Sequence, residues 1–281
     1  MLTATSMAAI ITTTVTAMIK ALLRSSPRKR GPRKVARGLD SRCGGNERKQ
    51  ATGSALDAAT LYRLMAWLSP AYPVGAFSYS GGIEWAVEAG DIKDAETLRL
   101  WLAVILGDGG GFSDAVFFTH AHSAAAANDD PALRLVAGLA AAFVPSKERF
   151  LETTAQGRAF MEATQAAWPC PALTRFAAVW QGPVALPVAV AVACAGHAIA
   201  RAPALHAFLH ALAANWISAG VRLIPLGQTD GQRVLAALES DVGATAARAL
   251  ETPLDEVGTC AFRADLAGMR HEAQYTRLFR S

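Results

Sequence analysis

From Asp57 onward the chain hardly ever alternates apolar and polar residues as a half-buried strand must; the β-branched alternation is confined to Val188–Val192. What recurs instead is apolar spacing of three and four, the mark of helices that bury one face. Asp57–Leu68 carries Leu61, Leu64, Met65 and Leu68 and stops at Ser69-Pro70, and Pro70 and Pro73 then force an extended turn. Ser78 or Ser80 can cap a helix over Gly82–Glu88. Asp94 caps Ala95–Leu106, whose Leu98, Trp101, Leu102 and Ile105 share a face. Gly107–Gly111 separates it from Phe112–Ala127. Asp130 followed by Pro131 opens the next helix, and Ser146 opens a long one over about Lys147–Ala166. Pro169 and Pro171 mark a boundary, followed by Leu173–Trp180, Val188–Ala200, Ala204–Gly220 and Gln232–Glu239. The pattern predicts an all-α fold, a single globular bundle of about ten helices with length enough for a buried core.

One stretch organises the rest. Asn215–Arg233, NWISAGVRLIPLGQTDGQR, starts as an apolar helix, breaks and restarts. Pro225 has no amide hydrogen and its ring clashes with the preceding turn, so a helix from Trp216 stops before it. Gly227 suits the positive φ found just past a helix end. Thr229 and Gln232 stand as T-x-x-Q, a capping-box spacing. The polar residues Gln228, Thr229, Asp230 and Gln232 thus sit between apolar flanks, as an internal corner or a contact surface.

Charge divides the chain. Residues 1–56 hold 11 Lys and Arg against 2 Asp and Glu, net +9, and the remainder holds 16 against 21, net −5, which together give the overall +4. An acidic body without a basic stripe argues against nucleic acid as the main partner. Met1–Ile19 is uncharged and rich in Thr and Ala, and Lys20–Lys49 is basic. A secretory signal has the reverse order, and so much threonine makes a poor membrane span. Residues 1–56 are expected to be a disordered basic extension or the result of a start assigned too far upstream, with 57–281 the folded domain. The uncharged run Phe176–Ala200 is long enough for a span, but Gln181, Gly182, Pro183, Pro187 and His197 interrupt it; a buried, alanine-lined core helix is the expectation. Cys43, Cys170, Cys194 and Cys260 form no C-x-x-C pair, which fits a reducing cytoplasm; with neither apolar run reading as a span, no membrane partner is expected.

No nucleophile elbow, phosphate loop or dinucleotide fingerprint occurs. Gly107–Gly111 lacks the lysine and the preceding strand of a phosphate cradle. Asp108, Asp114 and Glu148 stand without evident acid–base partners, and no catalytic residue or cofactor is assigned. His206 and His210 have helical metal spacing but no companion ligand, so surface histidines are expected there and at His120 and His122. Arg149, Glu152 and Arg158 read as a solvated helix face. The ending Arg270–Ser281, RHEAQYTRLFRS, mixes arginines with Tyr275, Leu278 and Phe279. Such residues anchor interfaces, and the tail docks either on its own domain or on a partner.

Three stretches resemble the UreF family of urease accessory proteins. They are Leu68–Glu88 (LSPAYPVGAFSYSGGIEWAVE), Val221–Leu235 (VRLIPLGQTDGQRVL) and the HE-x-QY-x-RLFRS ending from His271 to Ser281. ERFLETTAQG, Glu148–Gly157, is similar to the family's mid-chain Gln-Gly helix. The resemblance covers about Asp57–Ser281, and residues 1–56 fall outside it. It implies an all-α homodimer, not an enzyme, that bridges UreD (also called UreH) and the GTPase UreG, modulates the GTPase and serves nickel insertion into apo-urease. By the same resemblance Arg270, Tyr275, Arg277, Leu278, Phe279 and Arg280 are partner-docking candidates, and Arg222, Gln228, Thr229, Asp230 and Gln232 belong to the assembly surface. Phe77 and Tyr79 serve dimerisation or the core. The alternative is a nickel chaperone that binds the metal directly through His206 and His210.

Overall fold

In a computed structural model of the chain, residues 57–281 are described. The expected extension, residues 1–56, lies outside the described residues. Among the described residues there are twelve α-helices, two 3₁₀ turns and no strand. Side-chain caps set several of the starts, as expected at Asp94 and Ser146, and Asp57, placed by the sequence pattern inside its helix, is the cap of the first one. Asp57 accepts from the Thr60 amide at 2.8 Å to open α1 (Ala58–Trp67). After α2 (Ile83–Glu88), Asp94 and Thr97 form a reciprocal capping box at the start of α3 (Ala95–Asp108). Ser146 accepts from the Arg149 amide at 3.2 Å to open α6 (Lys147–Ala167).

The core is built around α4 (Gly110–Ala127), of whose 18 residues 13 are buried. It is packed by α3, by α5 (Asp130–Ala142), by α8 (Leu186–Gly196), by α9 (Arg201–Leu223) and by α11 (Glu239–Glu251). A helix apolar on every side belongs inside. The same logic settles Val188–Val192. Its alternation of Val and Ala lies on α8, where Val188 and Val192 share one face, Val190 lies on the opposite one, and all three are buried. Each such side chain contributes about 1.5–3 kcal/mol on burial, whatever the local pattern suggests. The uncharged run Phe176–Ala200 thus divides between the end of α7 (Pro171–Val179), a loop, and the short buried α8. Ala95–Ala127 and Arg201–Leu223 are long and apolar enough to cross a membrane, yet half or more of each apolar window is buried in the fold, as in core helices. Gly157 lets α6 lie directly on the chain entering α8, since a Cβ there would collide with the Val184 carbonyl.

Several local expectations need correction. The run Gly107–Gly111 is not an open turn: helix continues on both sides, and Gly109 alone, at φ −120° and ψ −149°, breaks it. Asp129 rather than Asp130 caps α5, which places Pro131 in the first turn, where a missing amide costs nothing. At the corner α9 ends at Leu223, before Pro225 as expected, but Gly227 has φ −77° and is the N-cap of α10 (Gln228–Ala237). The carboxylate of Asp230, not Thr229 or Gln232, closes that start by accepting from the Gly227 amide at 3.2 Å. Asp is the stronger acceptor and sits at the third helical position, so it outcompetes the T-x-x-Q spacing. The helix expected over Gln232–Glu239 is in fact two, α10 and α11. A final helix, α12 (Phe262–His271), was not anticipated at all.

Candidate partner-docking site

The three signature stretches, far apart in sequence, meet at one place. The loop before α2 carries Phe77–Gly82, the last turn of α9 carries Arg222, and the segment after α12 brings in Leu278–Ser281. Arg222 donates to the Phe77 carbonyl at 2.9 Å and lies with its guanidinium carbon 4.3 Å from the centroid of the Phe279 ring. Phe279 is buried at 4% exposure. A cation over a desolvated ring adds attraction beyond area burial. The tail backbone pairs with the loop as well: the Arg280 amide donates to the Ser78 carbonyl at 2.8 Å and the Ser80 amide to the Ser281 carbonyl at 2.7 Å.

Beneath the tail lies a buried polar cluster. Glu84, in the first turn of α2, accepts from the amides of Leu278 at 2.6 Å and Phe279 at 2.9 Å. Its Oε2 also lies 3.0 Å from Nε2 of His271, a ring with no solvent exposure. The other ring nitrogen, Nδ1, is 2.6 Å from Glu148 Oε2, and Arg277 donates to Glu148 Oε1 at 2.6 Å. Burial alone would raise the Glu84 carboxyl, but the tail amides and His271 outweigh it and hold the carboxyl below its ordinary value. One turn further along α6, Glu152 accepts from the Ser281 hydroxyl at 3.0 Å. Glu152 also lies 3.2 Å from Arg149, whose guanidinium reaches Asp114 at 2.5 Å. Burial pushes the Asp114 carboxyl up from 3.8 to about 6, against the pull of Arg149 and with Glu152 adding to the rise.

So Arg149 and Glu152 are not a solvated helix face; that reading is corrected by their burial against α4, and only Arg158 keeps it, exposed beside Glu162. Asp114 and Glu148 likewise have close partners that no local spacing announced. The cavity beside the cluster measures about 60 Å³, far below the roughly 300–1,000 Å³ of a small-molecule site. These charges hold a peptide rather than a metabolite.

The predicted residues divide clearly. Phe279 is buried and Arg277 is anchored, whereas Arg270, Tyr275, Leu278 and Arg280 are exposed on the same tail, Tyr275 completely so. The tail therefore docks on its own domain and still presents side chains outward. Tyr79 is in the core, while Phe77 is 66% exposed. Gln228, Thr229 and Gln232 are exposed at the corner, and Asp230 turns back on its own helix to pair with Arg233 at 2.8 Å. His206 and His210 lie exposed on α9, as expected. His122, expected at the surface, is instead buried and bonded to the Ile199 carbonyl at 2.8 Å. Among the described residues, no group of three or more His, Cys, Asp or Glu is arranged to hold a metal. Glu84 and His271 escaped the sequence reading because their partners lie more than 120 residues away. The one signal was their place inside the GGIEW and HE-x-QY stretches.

The fold and the site define an all-helical protein whose buried charges hold its own C-terminal tail while several tail side chains face outward. Comparison with known proteins is specific: the family model for UreF matches residues 92–239. The urease accessory protein UreF of Rhodopseudomonas palustris strain BisB18 is 62% identical over 236 residues, 84% of this chain and 98% of that protein. Urease accessory protein UreF from Bradyrhizobium diazoefficiens is 60% identical over 228 residues, 81% of this chain and 94% of its own length. The corresponding protein of Bradyrhizobium sp. strain BTAi1 is 62% identical over 231 residues. The chain belongs to the UreF family of urease accessory proteins, which are not enzymes.

Proposed function

We propose that this chain is a cytoplasmic urease-maturation scaffold. It bridges UreD (UreH) and the GTPase UreG, modulates the GTPase and serves nickel insertion into apo-urease, acting as a homodimer. The observation that carries the reading is the tail. Phe279 and Arg277 fix it to the body while Tyr275, Leu278, Arg270 and Arg280 face outward. A segment held in place before binding loses little entropy when a partner arrives. The exposed corner of Gln228, Thr229 and Gln232 offers a second polar surface, which suits a bridge with two partners. Phe77, exposed at 66%, is the candidate at the interface between copies. The test is co-purification on tagged UreG: UreD should be retained only when this chain is present. Retention of UreD without it, or a chain that binds neither partner, contradicts the proposal.

A second reading is kept because His206 and His210 are exposed four residues apart on one helix, a spacing that can share a metal ion. It makes the chain a direct nickel carrier. His206 already bonds the Ala202 carbonyl through Nδ1 at 2.9 Å, which leaves Nε2 for a metal.

A further inference from the structure

Part of the body's acidic excess borders one apolar groove. The groove lies between α4 and α5, measures about 280 Å³, and is walled by Ala124, Ala127, Ala132, Leu135, Val136 and Leu254. Leu254 comes from the 3₁₀ turn Leu254–Glu256, which follows α11. The imidazole and the hydroxyl in the lining already hold partners within the fold. His120 pairs through Nε2 with the Thr252 carbonyl at 2.9 Å. The Ser123 hydroxyl donates to the Thr119 carbonyl at 2.9 Å and accepts from Arg201 at 2.6 Å. Such a lining offers apolar surface before it offers hydrogen bonds.

The helix beside the groove has more apolar surface than the fold uses. α5 buries Leu133, Val136, Ala137 and Ala140, yet Leu135 is 57% exposed and Leu139, one turn on, 37%. A surface helix normally keeps the face away from the core polar, so a second apolar stripe marks a contact with something else. The rim says what. Asp129 caps α5 and lines the groove, Asp255 and Glu256 follow Leu254, and Glu251 precedes Thr252. All four carboxylates are exposed, and among the described residues none makes an ion pair, whereas Asp91, Asp108, Asp130 and Asp230 each hold an arginine. The cations on the same segments are Arg134, on α5, and Arg201, bonded to Ser123. Two guanidiniums against four carboxylates leave the rim negative. A second copy bringing the same face would set acid against acid.

We propose that the groove between α4, α5 and the 3₁₀ turn docks a basic amphipathic helix of a partner protein. Its apolar ridge enters between Leu135 and Leu254, and its Lys or Arg side chains meet Asp129, Glu251, Asp255 and Glu256. A groove between helices takes a helix, and the described residues present no strand edge for an extended peptide. The surface is built from other elements than the tail and the corner. It rests on the scaffold reading only in taking a protein as its ligand.

The experiment maps amide shifts of the full chain, alone and with a synthetic helical peptide that has leucine at helical spacing and lysine between. Two controls of equal length carry glutamate for lysine, or serine for leucine. Shifts should concentrate in α5, the last turn of α11 and the 3₁₀ turn, and both controls should bind at least about tenfold more weakly. Leu135→Asp, and separately Asp255→Asn with Glu256→Gln, change only exposed side chains; each should weaken the lysine peptide about tenfold. Shifts centred elsewhere, equal binding of either control, or variants that bind as well as the wild type overturn the proposal. No maturation partner is present in this measurement, so its failure leaves the scaffold reading standing. A chain that takes the peptide yet joins neither UreD nor UreG overturns that reading alone.

Discussion

Gly82 and Gly268 touch so closely that a Cβ on Gly82 would lie 2.7 Å from the Gly268 amide nitrogen. The contact lets α12 lie against the start of α2, and so brings His271 to Glu84. Gly82 also has φ +84°, a left-handed conformation that side chains resist. Gly82→Ala therefore meets a conformational cost and a backbone collision together, about 2–4 kcal/mol in sum. Chemical denaturation should show that loss, and limited proteolysis should cut first in the tail. A variant as stable as the wild type would mean that the close approach is not required.

Phe279 is the buried anchor of the tail, beneath the Arg222 guanidinium. Truncating a buried Phe costs about 3–5 kcal/mol. Because the residue sits on a strap, the loss should fall on tail docking more than on the body. In Phe279→Ala, exchange protection of the tail amides should drop at least about a hundredfold while helices α4 and α8 keep theirs. Equal loss everywhere would show that the tail unfolds only together with the core.

The Asp114 carboxyl, pushed up to about 6, gives a pH signature. An acid whose folded value is raised binds its proton more tightly in the native state, so the native state is favoured at low pH and loses that advantage as pH rises. Between pH 4 and pH 7 the wild type should lose up to about 3 kcal/mol relative to Asp114→Asn, two units at about 1.4 kcal/mol each. Urea midpoints of both proteins across that window measure it. A constant difference would mean that Arg149 fully compensates the buried charge.

The helical plan was legible because proline, glycine and cap residues act locally. Asp94, Ser146 and Pro225 each did what their chemistry requires within a few residues. What failed locally was competition between neighbours: Asp130 against Asp129, and Thr229 against Asp230. The corner between α10 and α11 and the whole of α12 were missed because their apolar faces are short and their supports are distant. The site was half legible. Arginines and aromatics marked the tail, yet the Glu84–His271–Glu148 cluster is assembled across 123 and 187 positions, which no spacing rule reads.

Direct nickel carriage predicts something separate. In isothermal titration with nickel, His206→Ala with His210→Ala should abolish binding if those exposed rings hold the metal. Unchanged affinity would reject that site and leave the scaffold reading alone in the field.

The most direct measurement of the central claim is size-exclusion chromatography with light scattering, on the full chain with UreD and UreG. The wild type is predicted to run as a homodimer alone and to co-elute with both partners in one larger complex. Tyr275→Ala with Leu278→Ala changes only exposed tail side chains; it should keep the homodimer but weaken the complex by about thirtyfold or more, as loss of an interface hot spot does. A wild type that joins neither partner, or a double variant that assembles as well as the wild type, would contradict the account.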